Sequence, residues 1–161
     1  MKILRNDRGF SLIELIITAA IINILAGVAI VAYIGTQEKA RISQVIRTAS
    51  AASADLHLWL QTSLSAKKDL REIDTNLDGK INSFDKTNGE LLNDGVAKTY
   101  INARNTVYRE VSPWFDLKMW NEDDPPTNGT ISLTQPSSAQ LIMVAKEKNG
   151  IIVYKDTIFA N

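Results

Sequence analysis

The sequence predicts an α+β chain in which one long N-terminal helix packs on a small antiparallel β-sheet head. Three observations predict it. An apolar run extends from Phe10 to Ile34, an apolar stripe at spacings of three and four continues beyond it, and three strand-like segments close the chain, the last two separated by Asn149-Gly150. With its first third committed to a helix, a chain of 161 residues leaves room for one head domain.

The apolar run covers about 25 residues. As a helix it reaches roughly 37 Å, more than the ~30 Å hydrocarbon core of a bilayer. Lys2, Arg5 and Arg8 precede it against the single acid Asp7, which predicts a cytoplasmic N-terminus and a head across the membrane. A secretory signal would have a shorter apolar core followed by a small-residue cleavage site, whereas here the pattern runs on. Glu14 stands inside the run, where a carboxylate costs about 2.5 to 3.5 kcal/mol at mid-bilayer and less near an end. It either snorkels to the interface or pairs with a cation from another chain.

The stretch RGFSLIELIITAAIINILAGVAIVAY, residues 8 to 33, resembles the N-terminus of type IV pilins and of the pseudopilins of type II secretion: a short basic leader ending in Gly, then Phe, Ser or Thr, Leu, Ile or Leu, and Glu. The likeness covers residues 1 to about 60. It implies a pilin-like fold and a leader of residues 1–9 cut after Gly9 by the prepilin peptidase. Phe10 would become an N-methylated terminus, and Glu14 would meet the Phe10 amino group of a neighbouring subunit. It also implies an inner-membrane subunit that the inner-membrane assembly machinery adds to a self-associating helical filament, an extracellular pilus or a periplasmic pseudopilus. Such a pair of buried charges sets register more than it supplies binding energy, because each ion must first be desolvated. The chain departs from the family in carrying Val31 where many members have a proline, and in lacking a C-terminal cysteine pair. Gly27 and Gly35 are left to loosen the helix, and the Asn23 amide to hydrogen-bond across a filament core.

Residues 10–34 are therefore read as a transmembrane or filament-core segment and 35–66 as its amphipathic continuation. In the latter, Ile42, Val45, Ile46, Ala49, Ala52, Leu56, Trp59 and Leu60 share one face, opposite Glu38, Lys39, Arg41, Gln44 and Arg47. His57, the only histidine, lies between two leucines with no second metal or nucleophile partner and reads as a helix-surface residue.

Residues 67–161 form the predicted head. Within it, DTNLDGKINSFD at 74–85 has the oxygen-ligand spacing of an EF-hand calcium loop. Asp74, Asn76 and Asp78 take places one, three and five, Gly79 the turn, Lys80 the carbonyl place, Asn82 place nine and Asp85 place twelve. Ile81 stands at the apolar eighth place that such loops direct into a core. Asp rather than Glu at the last place resembles dockerin loops. A single loop points to calcium as a structural clip in a head without disulfides, not to a switch.

Beyond the loop, GVAKTYINARNTVYREV gives a weak helical pattern, and Trp114, Phe115, Met119 and Trp120 an aromatic cluster beside NEDDPP, which reads as a solvated acidic loop. Strands are expected at 130–133, 140–146 and 150–159, with Asn149-Gly150 as a tight turn in which both residues tolerate positive φ. Composition excludes other classes. Eighteen basic against eighteen acidic residues leave no footprint for nucleic acid, zero cysteines exclude thiolate chemistry and disulfides, and no phosphate loop, nucleophile elbow or zinc spacing marks an enzyme. The expected function is a structural subunit of a type IV pilus-like filament with a calcium-stabilised head. The alternatives are a type II secretion pseudopilin and a membrane-tethered calcium-dependent binding module.

Overall fold

The computed structural model describes residues 9–65, 73–86, 90–91 and 95–160; the basic leader through Arg8 and residues 66–72 lie outside them. The chain divides into two compact units between Ala40 and Arg41. Helix α1 spans Leu12–Leu64. From Leu12 to Ile34 its residues are mostly leucine, isoleucine, valine and alanine, and the helix passes through both Gly27 and Gly35. A window of this helix has a mean hydropathy of 2.6 and none of it is buried, so by length and composition it is able to cross a membrane.

In the second unit the predicted stripe is the buried face of α1. Val45, Ala49, Ala52, Leu56 and Leu60 are fully buried and Trp59 nearly so, while Ile42 and Ile46 sit at its margin and His57 is exposed. The stripe enters one core with Trp120, Leu133, Leu141, Met143 and Ile158 from four strands: β1 (Trp120–Asn121), β2 (Ile131–Ser137), β3 (Gln140–Lys146) and β4 (Ile152–Phe159), in the order β1-β2-β3-β4. On β3 burial alternates strictly, with Leu141, Met143 and Ala145 facing inward.

The sheet is mixed, not purely antiparallel. β2, β3 and β4 pair antiparallel as expected, but β1 runs parallel to β2, with Trp120 opposite Ile131. A two-residue strand is too short to show alternation; the burial of Trp120 and the Ile131 N–H bond to the Met119 carbonyl at 2.7 Å place it. The β3–β4 turn also differs in detail. Only Gly150 has positive φ, at 86°, and Asn149 does not. Gly150 N–H donates to the Glu147 carbonyl at 3.0 Å and Glu147 N–H to the Ile151 carbonyl at 2.9 Å, enclosing a three-residue loop, and the ladder slips between Ala145 and Lys146. This is a turn closed by a glycine bulge, not a two-residue hairpin. Pro136, which has no N–H to give a ladder, lies where the β2–β3 register shifts.

The weak helical pattern after residue 95 resolves into helix α2 (Val96–Ala103), followed by a π-helical turn at Arg104–Tyr108 that ends at Arg109 in the left-handed region. Gln135 of β2 caps α2 by accepting the Ala97 N–H at 3.2 Å. Tyr100 of α2 stands edge-on between Trp59 and Trp120, with ring centroids 5.1 and 5.6 Å away. The expected aromatic cluster is split: Met119 and Trp120 are core, Trp114 is half-buried, and Phe115 is exposed and lies over Gly129, where an added Cβ would meet its ring at 2.8 Å. In the acidic loop, residues 122–125 are exposed.

Candidate functional site

Two places in the chain carry the residues singled out by the sequence. The first is the start of α1. Ser11 Oγ accepts the Ile13 N–H at 3.3 Å, while the Ser11 N–H donates to Glu14 Oε2 at 3.1 Å. This reciprocal pair is a capping box, which satisfies two donors that a helix start leaves open. The S-x-x-E spacing was legible in the sequence, yet reading Glu14 as a snorkelling carboxylate or an intermolecular partner overlooks it. The carboxylate also stands at the positive end of the helix dipole. Further along, the Thr18 hydroxyl turns back to the Glu14 and Leu15 carbonyls at 2.9 and 3.0 Å. Among the described residues, the Asn23 amide has no such partner. Gly9 and Phe10 are exposed just before the cap.

The second place is the 74–85 loop, where the predicted oxygen donors are wrapped onto backbone N–H groups. Asp74 accepts from Asp78 at 3.1 Å and from Gly79 at 2.7 Å, Asn76 from Asp78 at 2.9 Å, and Asp78 from Lys80 at 2.8 Å. Asn82 accepts the Phe84 N–H at 2.8 Å. Asp85, only 4% exposed, closes the loop by accepting the Thr75 N–H at 2.8 Å and the Asn82 N–H at 2.7 Å on its two oxygens. Gly79 takes φ +85°, the conformation its turn position requires.

The donor set is all oxygen, which suits a hard cation such as calcium. Even so, no three carboxylate or imidazole groups are gathered to hold a metal among the described residues. Ile81 departs from expectation, since it is 55% exposed and does not enter the core. The loop spends its contacts on its own backbone, and Phe84 beside it is also exposed.

Other polar constellations escaped the sequence. Arg104 makes a two-pronged ion pair with Glu110 at 3.0 and 3.1 Å, and its guanidinium lies 5.0 to 5.6 Å from the ring centres of Tyr108, Trp120 and Tyr100. Glu110 also accepts the Trp120 indole N–H. Across the core, Ser53 of α1 donates to the carboxylate of Asp156 on β4. These are clamps within the head rather than reactive groups. No acid, base and nucleophile are set out in them as a catalytic unit.

The described residues thus comprise a capped apolar helix bearing one carboxylate near its start, and a small α+β head. Residues 4–30 match the family model described as the prokaryotic N-terminal methylation motif, the prepilin-like signal carried by structural subunits. That match covers the end of the leader, Gly9, Phe10 and Glu14, and supports a type IV pilin-like assignment for this part of the chain. No curated protein and no solved structure matches the chain.

Proposed function

We propose that the chain is a structural subunit of a type IV pilus-like filament. The prepilin peptidase would cut after Gly9, leaving Phe10 as the methylated terminus, and the subunit would wait in the inner membrane through the first part of α1. Assembly would then exchange lipid for neighbouring helices around the same apolar residues. The observation that carries this reading is the methylation motif at residues 4–30 joined to a helix whose hydropathic window is wholly unburied. Contacts that repeat head to tail without closing make an open fibre. The membrane-tethered calcium-binding module is a weaker reading, because such a tether needs neither the motif nor Glu14. A pseudopilin of type II secretion uses the same processing and assembly, and the destination of the filament separates it from a pilus.

Calcium is assigned to the 74–85 loop as a clip. Asp74, Asn76, Asp78, the Lys80 carbonyl, Asn82 and Asp85 would hold the ion, which would tie the ends of the loop together. The spacing and the all-oxygen donors support this assignment.

The test is to express the full chain with its peptidase and determine the mature N-terminus by mass spectrometry, then image filaments from the same cells. A chain beginning at N-methylated Phe10 and present in filament density is the expected result. An uncleaved chain that stays in the membrane would return the tethered-module reading.

A further inference from the structure

We propose that the head binds a neutral ring sugar in the cavity between the 74–85 loop and α2. The cavity measures about 250 Å³, a little under the roughly 300 to 1,000 Å³ of pockets that hold drug-sized ligands, so it accommodates one small ring. One wall is a single face of α2 and the π turn after it, where Asn102, Ala103, Thr106 and Val107 follow Thr99 by three, four, seven and eight residues. The loop supplies the facing wall through Thr75, Asn76 and Phe84. None of these residues belongs to the methylation motif, and of the proposed calcium ligands only Asn76 reaches the cavity.

Burial separates the floor of this cavity from its rim. Thr99 is only 6% exposed, and its hydroxyl is buried with no hydrogen-bond partner among the described residues. The other two threonines are engaged: Thr106 donates to the Asn102 carbonyl at 2.7 Å, and the Thr75 hydroxyl accepts the Lys86 N–H at 2.7 Å while donating to Asp85. A buried hydroxyl left unpaired carries a desolvation penalty that a ligand relieves by bonding to it. At the rim stand the Asn102 side-chain amide, which makes no hydrogen bond among the described residues, and the Phe84 ring, which is 84% exposed. Lys86, the charged residue on the wall, already has a partner, which leaves a neutral ligand as the match. A ligand hydroxyl both donates and accepts, so it can serve the Thr99 hydroxyl and the Asn102 amide alike. The exposed face of Phe84 suits the C–H face of a saturated ring. A ring with hydroxyls around its edge and an apolar face is a pyranose sugar.

The experiment titrates the full chain, held in a detergent without a sugar headgroup, with the methyl glycosides of glucose, galactose, mannose and N-acetylglucosamine. Cyclohexanol, a ring with one hydroxyl, is titrated in parallel. Binding is read by NMR from the Asn102 side-chain amide and from the backbone amides of Thr99 and Phe84. At least one glycoside is expected to shift all three saturably with a Kd of about 1 mM, the affinity a ligand of this size reaches. Thr99→Val keeps the shape of the floor and removes the hydroxyl, so it is expected to melt no lower than the unaltered chain while weakening binding about tenfold. Asn102→Ala, at the exposed rim, is expected to weaken binding to a similar extent. No saturable shift with any of the four glycosides would overturn the proposal. Binding that Thr99→Val leaves unchanged would place the sugar elsewhere and overturn it too. Cyclohexanol binding as tightly as the glycosides would make the cavity an apolar cleft and remove the sugar from it.

Discussion

At the scale of single residues, the head is most sensitive at Arg104. Its guanidinium is largely enclosed by three rings and pairs with Glu110 through both prongs, so each partner leaves the other stranded when removed. Arg104→Ala is expected to cost about 3 kcal/mol, and Arg104→Lys to recover only part of it because an ammonium group cannot form the fork. Chemical denaturation of the two variants checks the order. Tyr100 makes a different prediction. Burial pushes its phenol well above the ordinary value near 10, with Arg104 pulling the other way and Asp55 adding to the rise. The folded protein therefore holds this proton after the unfolded chain has released it. Stability is unaffected below about pH 10 and falls as the pH rises beyond it toward the folded value. Tyr154, raised by burial and by the Asp156 charge, adds to the same fall. A melting series from about pH 8 to 12 should show this loss, and Tyr100→Phe should flatten it. Neither Arg104 nor Tyr100 stood out in the sequence, because the groups that give them meaning arrive from separate elements.

At the scale of elements, α1 and the 74–85 loop differ in how much they revealed. The stripe on α1 was legible because helical periodicity is a local property, and Leu56 and Leu60 are fully buried where the spacing put them. Leu56→Ala is expected to cost about 2 to 5 kcal/mol by leaving a cavity against the sheet, measured by urea denaturation. The loop had a legible ligand spacing, but spacing does not say where Ile81 points, and that side chain is exposed. If calcium binds as proposed, the full chain should melt roughly 10 °C higher in calcium at a hundred times its Kd than in chelator, corresponding to about 2.7 kcal/mol. Asp74→Ala combined with Asp78→Ala should abolish the difference. Equal melting temperatures for the unaltered chain with and without calcium would dispose of the clip. The β1 strand and the π turn at 104–108 were beyond reach at this scale. A strand of two residues and a single wide turn are selected by the packing of Trp120 and the Arg104 clamp, not by any repeating pattern.

At the scale of the whole molecule, the chain has two solutions to burying apolar surface. Residues 41–161 close their own core, with α1 residues from Val45 to Leu60 inside it, whereas the apolar residues from Phe10 to Ile34 are exposed in the isolated chain. Residues 41–161 expressed alone are therefore expected to be soluble, monomeric and cooperatively folded, and the full chain to require detergent or lipid, as size-exclusion chromatography with and without detergent would show. Sequence by itself determined the apolar helix, its amphipathic second half, the three longer strands and the methylation motif, because each is a short-range pattern of hydrophobicity or spacing. Tertiary structure alone decided the parallel β1 pairing, the glycine-bulge turn, the Arg104–Glu110 clamp and the bond between Ser53 and Asp156. Those features depend on groups brought together by packing, and no local pattern in the chain encodes which distant groups will meet.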